Sequence, residues 1–266
     1  MLKETDYFIL SKLPAHSRFC AGLYLRTPFG VLMAMTVWIL MGAVIIIAIT
    51  RYIFSQHHPK WFINDQPSIS KTAAFAPSDT FFTAGMNSIA ICVFIAWAIG
   101  HGYNALKIEK VCKEANFDRT FAIIFNNVSL LLGLIQGITL SLAATVNLEI
   151  SDYYHIVFSI AAFGSGALVF VSDSFGTSRW RKYSQSAIEL GFYFKIRRVI
   201  SVAVTTGSLW YLYLWLNKNS GFIVDEYVTQ VVYVTTEHIL VTFSFLYAPL
   251  YLFEIFDDEN RKTLKE

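Results

Sequence analysis

The sequence predicts an all-α integral membrane protein, a bundle of six transmembrane helices with its N- and C-termini in the cytosol. Three observations lead to this fold class. Hydrophobic residues make up 55% of the 266 residues, and mean hydropathy is +0.49. Only 15% of the residues are charged, too few for the surface of a soluble protein of this size. The apolar residues gather into six long runs that polar segments separate.

Each run is compared with the length of helix, about 20 apolar residues, that crosses a hydrocarbon core. The predicted spans are about residues 29–50, 81–99, 121–146, 153–171, 199–216 and 227–253. They form one membrane domain, residues 29–256, between a cytosolic N-terminal segment (1–28) and a cytosolic tail (257–266). Residues 1–28 contain no short apolar segment typical of a cleavable signal peptide, so the first run is expected to stay in the membrane.

The distribution of Lys and Arg predicts the orientation. Of the 21 such residues, only Arg51, Lys60, Lys71 and Lys218 fall between spans one and two or between spans five and six. Positively charged short loops resist translocation, so the basic segments and both termini are expected in the cytosol. Residues 51–80 and the segment between spans five and six are then lumenal.

The segment between spans four and five is the most basic one. Such a segment is expected to contact anionic lipid on the cytosolic face, although a simple topogenic signal would need no lipid specificity. Its cationic residues are Arg179, Arg181, Lys182, Lys195, Arg197 and Arg198.

Glu237 is the most informative single residue, because an acid within a span is costly and normally faces the bundle interior with a partner. His238 follows it and points about 100° away around the helix. His155, at the outer mouth of span four, is expected to pair with Glu237. These three residues form a candidate polar site, which is either a structural clamp or a lipid-headgroup or proton-coupled site.

The first lumenal loop is a second candidate. Pro67, Ser68, Ile69 and Ser70 begin its second half, and Pro77 precedes span two. One interpretation is a solvated loop that ends in a helix cap. The other is a lumenal recognition surface.

Several classes of function find no support. A net charge of +2 does not suggest a nucleic-acid partner. The three cysteines have no paired spacing. No two histidines share a span at the spacing of metal ligands, and no phosphate-binding loop or nucleophile elbow occurs, so neither a metal, a cofactor nor a catalytic residue is predicted. Transport is weakly supported, because no internal repeat is evident.

Three stretches together resemble one known family. Pro67–Ser70 with Pro77 is similar to its P-x-I-S…P loop. His155 with Phe163–Gly166 is similar to the H-x7-F-G-x-G run that opens its fourth span.

In span six, Glu237 and Glu254 resemble the family's pair of acids, and Arg197 stands where these proteins have a basic residue. Over residues 29–256 the chain thus resembles the DRAM/Frag/Sfk family of six-span eukaryotic membrane proteins. That family includes the damage-regulated autophagy modulators and a Golgi factor for GPI-anchor lipid remodelling. The sequence departs from the first group at Lys71–Thr72 and in its longer N-terminal segment, and clear GPI-factor features are missing, so the subfamily stays open.

The resemblance implies a non-catalytic polytopic endomembrane protein that modulates autophagy or membrane-lipid handling. A lumen-facing GPI-anchor lipid-remodelling factor or enzyme is the first alternative, and a small-solute or lipid transporter is the second. The expected partners are membrane lipids and an unidentified membrane protein. The expected location is the endomembrane system, with lysosome, Golgi and plasma membrane left open.

Overall fold

The computed structural model describes residues 9–65, 67–115, 118–183, 191–220 and 226–263. Within these ranges the regular structure is helical, without a strand, and six helices are long and apolar enough to cross a membrane. The predicted fold class, an all-α bundle of six membrane helices, is confirmed. The spans are Phe29–His57, Ser78–Ala115, Thr120–Thr145, Asp152–Arg181, Gly191–Asn217 and Val228–Asp257.

We number the helices in chain order. Helix α1 precedes the first span, which consists of α2, a π-helical segment (Trp38–Gly42) and α3. Two short helices, α4 and α5, lie before span two, and α6 to α10 are spans two to six. The bounds are α1 (Ala15–Arg26), α2 (Phe29–Val37), α3 (Ala43–His57), α4 (Pro59–Asp65), α5 (Ile69–Thr72), α6 (Ser78–Ala115), α7 (Thr120–Thr145), α8 (Asp152–Arg181), α9 (Gly191–Ser220) and α10 (Glu226–Thr263).

Several helices continue beyond the apolar run that predicted them. Helix α8 extends to Arg181, and α9 begins at Gly191, so Arg197 lies inside a helix rather than in the segment before it. At its other end α8 is capped by Ser151, whose hydroxyl accepts from the Tyr154 N–H (3.4 Å). The apolar run therefore marks the membrane core but not the ends of the helix.

The bundle has two ends, which we call inner and outer. The inner end holds α1 and the last turns of α10, and the Phe29 and Phe256 rings meet there in a tilted arrangement with centroids 3.9 Å apart. The outer end holds α4, α5 and residues 146–151. The Lys and Arg distribution predicts that the inner end is cytosolic. Parts of the predicted cytosolic segments, residues 1–8 and 264–266, lie outside the described residues, as does residue 66 of the outer loop.

Helix α1 packs closely on the inner half of span two. The Ser17 hydroxyl lies 2.9 Å from His101 Nε2, and Cys20 is buried beside them. A Cβ at Gly102 would collide with the backbone of Cys20, so the close approach requires glycine at that position. Burial raises the pKa of the Cys20 thiol. The residues before the first span thus include a packed helix.

Two glycines of span three let it approach span two closely. A Cβ at Gly133 would collide with the Trp97 ring, and a Cβ at Gly137 would lie 3.0 Å from the Phe94 Cβ. Both contacts are within the chain, so this small-xxx-small pair packs spans two and three together.

Candidate functional site

The first outer loop docks into the bundle. Thr72, Ala74 and Ser78 are fully buried, and the Ser78 hydroxyl donates to the Thr72 carbonyl (2.7 Å). The Ser68 hydroxyl accepts from the Lys71 N–H (3.1 Å), which caps α5. The Asn147 side chain from the next outer loop donates to the Ala74 carbonyl (3.2 Å). The loop is therefore a packed element of the outer end and not a solvated connection.

Glu237 is the point at which this loop meets span six. Its side chain is buried, with 5% exposure, and its Oε2 accepts from the Ile69 N–H (2.9 Å). Its Oε1 accepts from the Ser70 hydroxyl (3.3 Å). At about 1.5 Å per residue, Glu237 lies about 16 Å along α10 from Glu226. Polar backbone at such depth is tolerated where it is buried in protein or lines a cavity.

The expected pairing of Glu237 with His155 is wrong, because His155 forms its hydrogen bonds with other residues. The His155 Nδ1 lies 3.0 Å from the Ala143 carbonyl and 2.9 Å from that of Val146. Both carbonyls belong to the outer end of span three, where the helix leaves them without an intrahelical donor. His155 thus joins span four to span three, and the motif of the outer loop supplies the partners of Glu237.

His238 faces a different neighbour. Its Nε2 lies 3.2 Å from the Arg51 guanidinium, and its Nδ1 lies 2.7 Å from the Val234 carbonyl. Arg51 also donates to the Pro67 carbonyl (2.8 Å). Span one thereby contacts the loop through Arg51, as span six does through Glu237. Of the three expected site residues, Glu237 and His155 line one cavity, whereas His238 with Arg51 lines a separate one between spans one and six.

The larger cavity has a volume of about 1000 Å³ and lies between spans four, five and six at the outer half of the bundle. This volume is at the upper end of the ~300–1,000 Å³ range for small-molecule sites. Its walls differ in polarity. The apolar wall comes mainly from spans four and five and includes Ile156, Ile160, Phe163, Leu168, Leu209 and Leu212; the polar wall includes Ser70, Lys71, His155, Thr205, Ser208, Tyr211, Gln230, Tyr233 and Glu237.

The cavity opens sideways between spans four and five. Leu168 is 59% exposed and Leu209 65% exposed, although both line the cavity and both lie within membrane spans. Apolar side chains at this position face lipid in a membrane. A molecule dissolved in the bilayer can therefore reach the cavity without crossing the outer loop.

At the inner half, the same three spans are joined by a cluster of charges. Arg197 is fully buried and donates to Asp173 Oδ2 (2.5 Å) and to Glu254 Oε2 (2.7 Å). Glu254 also pairs with Arg181. The Tyr247 hydroxyl donates to Asp173 (2.6 Å). The charges of two guanidinium groups and two carboxylates thus balance one another. These ion pairs hold spans four, five and six together at the inner end of the cavity.

This cluster corrects the expectation for the basic segment. Arg181 and Arg197 are 7% and 0% exposed and serve as structural ion-pair partners, so they do not face a lipid surface. Their carboxylate partners, Asp173 and Glu254, lie on spans four and six. The charge of the connecting segment alone does not predict these partners. The exposed cations of the segment are Arg179, Lys182, Lys195 and Arg198.

Several residues in these sites carry only a weak signal in the sequence. Asp173, near the inner end of span four, is not among the predicted site residues. An acid at the end of a span could have indicated a buried ion pair. The backbone N–H of Ile69 carries no side-chain signature at all. Among the described residues, no three His, Cys, Asp or Glu side chains form a group that could hold a metal ion.

Fold and sites together define a six-span integral membrane protein with a membrane-accessible cavity and a docked outer loop. Over residues 28–257 the sequence matches the family model described as the Frag1/DRAM/Sfk1/Cwh43P N-terminal domain. The chain belongs to this family, as the motifs around Pro67, His155 and Glu237 led us to expect. A search of curated proteins found no match, and a search of solved structures found none either.

Proposed function

We propose that the protein is a non-catalytic lipid-handling protein of the endomembrane system, which binds a membrane lipid in the cavity between spans four, five and six. The observation that carries this proposal is the cavity itself, with its volume of about 1000 Å³, its side opening and its one polar wall. An amphipathic ligand needs both an apolar wall for its chains and polar groups for its headgroup.

The buried cluster around Arg197 favours binding over transport. It joins the inner halves of the same three spans, and both Arg197 and Glu254 in it are fully buried. A transporter needs a second access from the inner side. A lumen-facing GPI-anchor lipid-remodelling factor remains the alternative, and the position of the cavity beside the outer loop, predicted to be lumenal, favours it.

Family membership supports a location in internal membranes and a link to autophagy. Autophagy depends on the lipid composition of the membranes that form and fuse, so lipid binding would connect the two. A tagged full-length chain imaged against lysosome, Golgi and plasma-membrane markers tests the location. Turnover of an autophagosome marker in cells that lack the protein tests the link.

Gly164 offers a sharp test of lipid binding. It lines the cavity, and a Cβ there would meet no atom within 4 Å, so Gly164→Phe fills the cavity without a clash at the first added atom. Gly30 is the matched control, because it is an exposed glycine of span one whose Cβ also meets nothing.

Native mass spectrometry of the purified protein is the measurement. We expect the wild type and Gly30→Phe to retain bound lipid, and Gly164→Phe to lose most of it while unfolding at the same temperature. Equal lipid retention in all three proteins would refute the proposed function.

The exposed cations at the inner end support a second contact. Arg179, Lys182, Lys195 and Arg198 are exposed near one another along the chain, and each basic residue at an anionic surface contributes about 1 kcal/mol. We expect the wild type in nanodiscs to enrich anionic lipid in its annulus. Replacement of all four by Gln should remove that enrichment, and a wild type without enrichment would leave the segment as a topogenic signal only.

A further inference from the structure

We infer that the cavity selects a lipid with an uncharged, hydroxyl-bearing headgroup, taken from the leaflet on the side of the outer loop. This inference rests on the proposed function and adds the class of ligand. Diacylglycerols and sterols share this chemistry. Glycerophospholipids with an anionic phosphate do not.

The first step concerns depth. The cavity extends along span four from His155 to Leu168, which are about 5 and 24 Å from the outer end of that helix at Asp152. The side opening includes the exposed Ile160, about 12 Å from that outer end, and the exposed Leu209, about 12 Å from the outer end of span five at Asn217; both distances are less than half of a ~30 Å hydrocarbon core. A lipid that enters between spans four and five therefore comes from the outer leaflet.

The second step concerns two hydroxyl groups of span five. Thr205 Oγ1 and Ser208 Oγ are inaccessible to solvent, and neither has a hydrogen-bond partner among the described residues. Both residues line the cavity. Buried polar groups are hydrogen-bonded in nearly all native structures, so rotation about χ1 toward the cavity would give both hydroxyls a bound molecule as partner. Hydroxyl groups act as both donor and acceptor, which suits the hydroxyl and ester oxygens of a neutral lipid.

The third step concerns charge. The fixed opposite charges on the cavity lining are Glu237 and Lys71, and the Lys71 ammonium lies 5.7 Å from the Trp61 ring centroid, on the loop. Arg51 of span one also interacts electrostatically with Glu237, so an uncharged headgroup leaves this carboxylate with the counter-charge that the protein provides. A phosphate next to Glu237 would add a second negative charge at a depth where charges are costly.

The Tyr211 and Tyr233 hydroxyls complete the polar wall. They are 2.5 Å apart, belong to spans five and six, and line the cavity together with Glu237. Phenolic hydroxyls provide hydrogen bonds without charge. The two tyrosines therefore add uncharged polar groups to the wall that contains Glu237.

Photo-crosslinking of the full chain in phosphatidylcholine nanodiscs tests the inference. Three probes carry the same photoreactive tag: a diacylglycerol, a sterol, and a phosphatidic acid with the chains of the diacylglycerol. We expect the diacylglycerol or the sterol to label peptides of spans four and five, and the more strongly labelling probe identifies the source. Phosphatidic acid should label these peptides about tenfold less, because of the cost of its charge at that depth.

Two variants separate the causes. Combined Thr205→Val and Ser208→Ala should reduce labelling by the preferred neutral probe about fivefold or more, the effect of losing one or two neutral hydrogen bonds. Glu237→Gln should increase labelling by phosphatidic acid. Equal labelling of the cavity by phosphatidic acid and diacylglycerol in the wild type would overturn the inference and leave lipid binding intact. If Gly164→Phe changes labelling by none of the probes, both the inference and the proposed function fail.

Discussion

The outer site and the inner cluster each contain a buried glutamate of α10, and the two glutamates have opposite surroundings. Glu254 meets two guanidinium groups, those of Arg181 and Arg197. The hydrogen-bond donors of Glu237 are the Ile69 N–H and the Ser70 hydroxyl, which carry no charge; Arg51 acts on it only through electrostatics, and Glu237 borders a large cavity. A charge that protein cations neutralise is used for structure, whereas one that neutral donors hold beside open space is available to a ligand.

The largest expected effect concerns Arg197. Arg197→Met removes the shared partner of Asp173 and Glu254 and leaves buried charge uncompensated. We expect a loss of about 3–5 kcal/mol in the free energy of unfolding. Arg198→Met is the matched control, because Arg198 is exposed, and its effect should stay within about 0.5 kcal/mol. Thermal unfolding of the purified variants measures both; equal melting of the two would contradict the structural role of the cluster.

The same substitution at the two glutamates compares the regions directly. Glu254→Gln leaves the two arginines with one carboxylate, and we expect it to cost about 3 kcal/mol. Glu237→Gln keeps an oxygen that can accept from the Ile69 N–H, so its cost should be below about 1 kcal/mol. Denaturant titration gives both values. A larger loss at Glu237 would make that residue the structural one.

Shape and hydrogen bonding can be separated at Glu237. Glu237→Leu leaves the Ile69 N–H buried without its acceptor, and the expected cost is about 1–3 kcal/mol. The loop should then detach more often. Ala74→Cys reports this, in a background without the native cysteines, because Ala74 is fully buried. Labelling of Ala74→Cys by an impermeant maleimide should be faster with Glu237→Leu than with Glu237→Gln; identical rates would mean that Glu237 does not hold the loop.

The smallest effect concerns Cys20, under α1 at the inner end. Burial raises the pKa of its thiol, so at pH 8 the folded protein contains less Cys20 thiolate than the unfolded chain does. Alkylation of Cys20 by iodoacetamide should therefore be slower in the folded state, and peptide mass spectrometry measures the rate. A rate unchanged by denaturant would indicate that α1 does not cover the inner end.

The six spans could be predicted because the length of an apolar run is a local property of the chain. The burial of Glu237 could also be predicted, since an acid within a span must find a partner. The identity of that partner could not, because a backbone N–H such as that of Ile69 looks the same everywhere in a sequence. His155 was a reasonable candidate, but the free carbonyls at the end of α7 use its ring.

The inner cluster could not be predicted from the sequence for a different reason. Arg181 and Arg197 lie beyond the ends of the apolar runs, so the sequence predicts both residues in the segment that connects spans four and five. Their helices continue because Asp173 and Glu254 neutralise them, and this compensation depends on how spans four, five and six pack. Charges near the ends of spans are thus ambiguous until the tertiary structure is known.

Two glycines of span four, two residues apart, point about 200° apart around the helix. A Cβ at Gly166 would lie 2.6 Å from the Gln136 amide nitrogen, so that face admits no larger residue without displacing Gln136. At Gly164 the space is open, and successive replacement by Ala, Val, Leu and Phe would shorten the cavity in graded steps. The size of the side chain at position 164 therefore limits the size of the molecule that the cavity can hold. The smallest replacement that stops a given molecule from binding reports that molecule's size, before its chemical identity is known.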